Sequence, residues 1–355
     1  HVPERAGAAR MLPGRAGARR VRRCDCRFPR TEGSMRIHVF THRYPVAFKP
    51  YYDTQFADLV RSGHELIIFA AGGDAWLLNG KVVRYRLLER TRRFPTTLST
   101  IPRHLAGMAT GVAADPATLL RDVRGVVGVG GGVRRTIAHV ARMLTVRGGR
   151  PDLCLVHGLG TALMFPWLGR IHPGTPVAMY YHGGEVPLVR PHADAAAADA
   201  FGRMDVIFTN TEFSRRQAIE RGAPPDRVHV LPVGFALEDF DDVAPRSYRP
   251  GGRLRLLAAG RLSEEKGLRY ALEALALLVN RGIIDVQLAV AGDGYDRASL
   301  EQFVRDNGLE RYVGFLGTLP ADHLSRVMAQ ADVLLLPSVP HGNWMETQAC
   351  VVQEA

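Results

Sequence analysis

From Met35 onward the chain alternates short β-rich runs with longer helical patterns, and it does so twice. The first series has strand candidates at 36–40, 64–71, 153–157, 176–181, 205–209 and 228–231. A polar, Pro- and Gly-containing stretch follows (EDFDDVAPRSYRPGG, 238–252), and the pattern restarts with strands at 253–259, 286–291, 312–316 and 332–336. Strands separated by helices must pair in parallel, because the helix supplies the crossover, and parallel sheets are covered on both faces. The helix after Gly267 shows the covering face, with Leu268, Ala271, Leu272, Leu275 and Leu278 at helical spacing. Two α/β domains are therefore expected, 35–237 and 253–355, joined by the linker 238–252. Their ligands are expected where strand carboxyl ends open into the cleft between them. At 46% apolar residues over 355, the composition allows two such cores.

The net charge of +11 is uneven: residues 1–34 hold nine Arg against Glu4, Asp25 and Glu32. That stretch lacks an apolar segment of the signal-peptide kind and shows little apolar periodicity. It is read as a disordered or non-native extension, with a nucleic-acid arm or targeting segment as the alternative, and is excluded from the fold. No apolar run reaches the roughly 18 residues of a spanning helix. Cys24 and Cys26 are spaced wrongly for a zinc site, while Cys154 and Cys350 sit in apolar runs as reduced thiols suited to a cytoplasmic protein. Between 72 and 150 the pattern is obscure. The basic stretch 81–104 suits either an anionic membrane surface, or a lipid-diphosphate acceptor, or a solvated loop. The cluster Gly128-Val-Gly-Gly-Gly132 lacks the last Gly of a dinucleotide fingerprint and reads as a kink or loop.

Two motifs bear chemistry. Glu346 and Glu354 follow a hydrophobic strand ending at Pro337-Ser338. On a helix their spacing is a little over two turns, which puts both carboxylates near one face, Glu346 at the N-terminus and Glu354 deeper. So placed, they would accept from sugar hydroxyls beside free N–H groups that favour phosphate. The plainer reading is a dipole-favoured Glu plus a surface Glu. The second motif, GRLSEEKG (260–267), places Arg261 and Lys266 in a strand-to-helix loop, a fork and a point charge for one anion. Its plainer reading is solvated loop charge.

In order and spacing these pieces resemble glycosyltransferase family 4, the retaining group with the GT-B fold: two Rossmann-like domains with parallel sheets facing a cleft. The resemblance runs through HGGE (182–185), DVIFTNTEFSRRQAIERGAPPDRVHVLPVGF (205–235), LLAAGRLSEEKGL (256–268), LAVAGDGYDRASLE (288–301), VGFLGTLP (313–320) and ADVLLLPSVPHGNWMETQACVVQEA (331–355). It implies a hexosyltransferase of polysaccharide biosynthesis that uses a nucleotide-sugar donor and a hydroxyl of a glycan or lipid-linked acceptor, with retention. It implies that Arg261 and Lys266 hold the donor diphosphate, Glu346 the hexose and Glu354 the ribose. His182 would reach the sugar near the reacting carbon, and the base would lie near the loop after Phe315 and Leu316. No metal or other cofactor is implied: Asp239, Asp241 and Asp242 lie in the linker, not at a metal site. Nucleic acid is not an expected partner. The location implied is cytoplasmic, with contact at the inner face of the membrane as the reading for 81–104.

Two departures stand out. Thr347 and Ala349 replace the glycines frequent in the family, and the loop after the first strand (41–53) lacks its double Gly, so that Tyr44, Pro45 and Lys49 are the candidate lining there. A lone His after an apolar strand is also commonly a packed residue, and that reading of His182 stands beside the catalytic one. The resemblance implies further strands beyond residue 355, so the second domain is expected to be incomplete. A nucleotide-sugar epimerase or hydrolase, and an inactive nucleotide-sugar-binding fragment, are the alternatives.

Overall fold

The computed structural model describes residues 33–46, 49–73, 80–101, 116–129, 132–146, 149–183, 193–235, 237–240, 244, 251–342 and 344–355. The expectations for Cys24, Cys26, Glu185, Asp241, Asp242 and most of the linker lie outside them.

The first series is β1 (Arg36–Arg43), α1 (Pro50–Arg61), β2 (Glu65–Gly72), α2 (Gly80–Arg84), β3 (Thr91–Arg93), α3 (Pro116–Val127) and α4 (Val133–Val146). It continues with β4 (Leu153–His157), α5 (Leu159–Met164), α6 (Leu168–Ile171), β5 (Val177–Tyr181), α7 (Ala193–Gly202), β6 (Val206–Thr209), α8 (Glu212–Glu220) and β7 (Val228–Val230). All seven strands pair in parallel in the order β3-β2-β1-β4-β5-β6-β7. The second series is β8 (Leu254–Ala259), α9 (Leu268–Asn280), β9 (Val286–Ala291), α10 (Arg297–Asp306), β10 (Val313–Gly317), α11 (Ala321–Gln330), β11 (Val333–Leu335) and α12 (Cys350–Glu354). Its strands are also parallel, in the order β10-β9-β8-β11.

Burial explains these elements. β5 is buried at every position and β1 from Ile37 to Thr41, as strands covered on both faces must be. α9 buries Leu268, Ala271, Leu272, Leu275 and Ala276 against its sheet, while Leu278 is half-buried. Each large apolar side chain so covered stabilises the fold by roughly 1.5–3 kcal/mol. Strand order reverses between β1 and β4 and between β8 and β11, so each sheet opens a crevice at its strand carboxyl ends there.

The obscure region 72–150 contains order that the sequence pattern hides. Of the basic stretch 81–104, residues 81–101 are described, and they are not a free loop. Val82, Leu87 and Phe94 are buried, and β3 pairs with β2. Arg93 donates from Nη1 to the carbonyls of Tyr44 (2.8 Å) and Gly72 (2.6 Å), tying the loop after β1 to the sheet. Gly128 and Gly132, the described ends of the glycine cluster, follow α3 and precede α4, whereas a dinucleotide fingerprint needs a strand before it.

Candidate functional site

The switch point of the second sheet builds a cavity from backbone outward. Gly260 and Arg261 leave the end of β8, and Gly292 leaves β9 with φ of +147°. A Cβ on Gly292 would stand 1.8 Å from the Gly260 carbonyl oxygen, so only glycine lets these two loops touch. A short turn, Glu264–Lys266, then ends at Gly267 in the left-handed conformation (φ 63°), where a Cβ would meet the Pro337 carbonyl at 2.0 Å. Arg261 and Lys266 line one cavity of about 260 Å³ beside these close approaches, and Glu346 and Glu354 line it too.

The two cations and the first carboxylate are engaged with one another's neighbours. Lys266 Nζ lies 2.5 Å from Glu346 Oε2 and 5.1 Å from the centre of the Trp344 ring. Ser338 Oγ donates to the same Glu346 oxygen at 3.1 Å. Arg261 Nη2 is 3.4 Å from Glu265 Oε1, with its side chain half exposed. An anion entering the cavity would meet both cations, and Lys266 would exchange or share its carboxylate.

One expectation needs correction. Glu346 and Glu354 do not share a helix: α12 starts at Cys350, and Ala349 before it has φ −82° and ψ 89°. Tertiary bonds explain the extended segment. Thr347 Oγ1 donates to the His182 carbonyl (3.0 Å) and accepts from Asn210 Nδ2 (3.1 Å). Gln348 Oε1 accepts from Val233 N, and Gln348 Nε2 donates to Val233 O, both at 2.9 Å. Spacing along one chain cannot register these bonds to the other sheet's loops. The loop after Phe315 and Leu316, where the base is expected, lines the cavity through Thr318 and Leu319, while Phe315 packs against the second core and Leu316 is exposed. Replacing Gln348 with Ala removes both bonds to Val233. It is expected to lower stability by roughly 1–2 kcal/mol, measurable by thermal melting.

His182 follows β5 and is 8% exposed. Tyr180 stacks on it (4.7 Å between ring centres), and its Nε2 lies 3.3 Å from His157 Nδ1. Burial, then His157 and Lys49, holds its pKa well below 6.5, so the imidazole is neutral at pH 7. It lines a cavity with Tyr180, Thr54 and Leu231, next to the one holding Arg261 and Lys266. Tyr51, at the start of α1, borders both cavities. Neither Tyr51 nor His157 had a signal in the sequence beyond its place at an element end. Of the candidates after β1, Tyr44 is fully buried, Pro45 borders a third cavity with Asp53, and Lys49 is half-buried. Cys154 and Cys350 are free thiols; burial pushes them up to about 12 and about 11. Among the described residues no cluster of three or more His, Cys, Asp or Glu is placed for a metal ion.

Comparison with known proteins places this arrangement. Residues 50–234 match the family described as "Glycosyl transferase 4-like domain", and residues 253–355 match "Glycosyl transferases group 1". The amylovoran biosynthesis glycosyltransferase AmsK of Erwinia amylovora is 29% identical over 39% of this chain and 33% of its own length. The alpha-D-kanosaminyltransferase of Streptomyces kanamyceticus is 27% identical over 51% of each. This chain thus spans a third to a half of these curated relatives. The crystal structure of HepE from Anabaena in complex with UDP superposes with a TM-score of 0.54 at 16% identity, covering 86% of this chain and 74% of that one. The fold is GT-B, with two Rossmann-like sets of parallel strands.

Proposed function

Because this chain belongs to the glycosyl transferase 4-like family, a match that takes in just over half of it, we propose that it transfers a hexosyl group from a nucleotide-sugar to a hydroxyl of a glycan or lipid-linked acceptor, with retention. The observation behind this reading is the convergence of Arg261, Lys266, Glu346 and Glu354 on one cavity at the strand carboxyl ends of β8 and β9. HepE, crystallised with UDP, supports a nucleoside diphosphate as the leaving group, and AmsK, named for amylovoran biosynthesis, supports a glycan product.

As the glycosidic bond to the donor stretches, negative charge grows on the diphosphate. Arg261 and Lys266 offset that charge where it develops, which lowers the barrier more than it tightens the ground state. Glu346, already held by Lys266 and Ser338, hydrogen-bonds the hexose, and Glu354 holds the ribose. The neutral His182 imidazole offers a hydrogen bond without adding charge near the reacting carbon. The acceptor hydroxyl attacks from the face that the diphosphate leaves, and a diphosphate oxygen takes its proton, so the configuration is kept. Side-chain cations do the work of a metal in this scheme.

Calorimetric titration of UDP and GDP tests the assignment. Arg261→Ala or Lys266→Ala is expected to weaken binding of the nucleoside diphosphate that the unaltered protein takes by roughly 1–3 kcal/mol, the range for lost charge-assisted bonds. Transfer is expected to survive a chelator. Unchanged affinity in both variants, or activity restored only by magnesium or manganese, would remove the diphosphate assignment or the metal-free scheme respectively. Contact with the inner face of a membrane belongs to this proposal as the route to a lipid-linked acceptor. Among the described residues no helix is long and apolar enough to cross a membrane.

A further inference from the structure

We propose that His157 is a positioning residue for His182: it donates from Nδ1 to His182 Nε2, and so fixes the His182 ring as a hydrogen-bond donor at Nδ1 that cannot act as a base. This inference deepens the reading of His182 given above and rests on it.

The two rings come from neighbouring strands. His157 ends β4, His182 follows the last residue of β5, and the parallel register sets His157 opposite Tyr180. The planes of the two imidazoles differ by only 11°, with 5.6 Å between ring centres and 3.3 Å between His157 Nδ1 and His182 Nε2. Both nitrogens therefore lie on the line joining the centres. The rings meet edge to edge, where an in-plane N–H faces an in-plane lone pair. Packing keeps them in this alignment. Tyr180 stacks on His182 at 4.7 Å, and Thr347 holds the His182 carbonyl. Tyr52 and Phe56 pack against His157 with ring centres 4.6 and 5.7 Å away.

Two neutral imidazoles share this contact, so one donates and the other accepts. Burial is the leading cause that keeps both neutral at pH 7, and the Lys49 charge adds to it. The choice between the two arrangements falls on His157 Nε2, which is buried and has no hydrogen-bond partner among the described residues. Were His182 to donate, the His157 proton would sit on that nitrogen as a buried, unpaired N–H. With His157 donating, Nε2 holds only a lone pair. As backbone groups show, an orphaned buried N–H is rarer than an under-used acceptor, which favours His157 as the donor. His182 then carries its proton on Nδ1, the nitrogen left for a ligand in the cavity that it lines. Its ring lone pair is committed to His157, so it cannot take the acceptor's proton. The proposed scheme requires this, since a diphosphate oxygen takes that proton there.

Long-range proton–nitrogen NMR spectra of protein carrying isotope-labelled histidine distinguish the two tautomers, and His182→Gln identifies the His182 signals. At pH 7 His182 is expected as the Nδ1–H form with a bare Nε2. His157→Phe keeps an aromatic ring against Tyr52 and Phe56 but has no donor, and it should release His182 to populate the Nε2–H form. In that variant kcat for transfer should fall by about tenfold, the worth of one neutral hydrogen bond made in the transition state, while KM for the donor holds. His157→Asn brings an amide N–H near the lost Nδ1 and should restore both the tautomer and most of kcat. A merely structural role would not be rescued in this way. The spectra need neither donor nor acceptor, and nucleoside diphosphate affinity should stay unchanged in both variants. Failure here is therefore distinct from failure of the transferase reading. An Nε2–H form of His182 in the unaltered protein overturns the proposal, even where a variant fails to fold. So does an unchanged tautomer or kcat in His157→Phe, or a kcat lost equally in both variants.

Discussion

Lowering the pH from 7 to 4 is expected to unfold the protein cooperatively, with a midpoint well above the range where its surface carboxylates titrate. Five histidines are buried around the first sheet: His38, His139, His157, His172 and His182. Burial is the leading cause that depresses each. It holds His38, His139 and His172 at about 4 and His157 at about 3, with His182 also well below its ordinary value of 6.5. An unfolded chain takes up a proton on each of these rings as the pH falls through 6.5, whereas the folded chain refuses it until about 4. The unfolded state therefore binds more protons in this window, and stability is lost as pH falls, by up to about 1.4 kcal/mol per pH unit for each histidine. Asp53 works the other way. Burial raises its carboxyl to about 7, so its contribution is lost as pH rises from 3.8 through 7. One such group cannot offset five imidazoles against a total stability of roughly 5–15 kcal/mol. Fluorescence of the fully buried Trp167 and far-ultraviolet circular dichroism would follow the transition. A melting temperature unchanged between pH 7 and 4.5 would show that these rings are open to water.

The sequence pattern reached the two sheets because their central strands are apolar enough to signal themselves. β4 at 153–157 and β9 at 286–291 coincide with the runs read from the sequence. β3 escaped because Thr-Arg-Arg has no apolar alternation; an edge strand with one partner needs none. The glycine positions were legible in kind but not in cause. Gly260 and Gly267 flank the basic loop as expected, yet the backbone each one touches, Gly292 and Pro337, comes from another strand's loop. The Glu346 to Glu354 spacing fits a helix on paper. Bonds from Thr347 to His182 and Asn210, and from Gln348 to Val233, hold the first half extended instead. Arg261, Lys266, Glu346 and Glu354 converge as the motifs suggested, while His182 opens on the adjoining cavity behind Tyr51. Local pattern thus located the cavity's contents, and long-range packing decided their partition.

The ion pair inside that cavity gives the carboxylates opposite expected effects. Glu346 lies against Lys266 at 2.5 Å, with both side chains 24% exposed. In the proposed function, Lys266 is also the cation that meets the donor diphosphate, so carboxylate and diphosphate compete for one ammonium group. Glu346→Gln removes the competing charge and keeps a side chain that can still accept from Ser338. Affinity for free nucleoside diphosphate should then hold or rise, by up to about tenfold, the upper end for a partly screened pair. Turnover should nevertheless fall by roughly 10²-fold, because a contact that strengthens as the sugar gains positive character acts on the transition state. Glu354→Gln should behave differently. Glu354 is the last residue of α12 and lines the same cavity, and its proposed hold on the ribose is the same in substrate, transition state and free diphosphate. Its loss should weaken all three alike and appear mainly in KM. Calorimetry with the free diphosphate separates the two variants without an acceptor. Weaker binding in Glu346→Gln with unchanged binding in Glu354→Gln would mean that the donor lies the other way along this segment. No effect in either would leave the Lys266–Glu346 pair a structural contact.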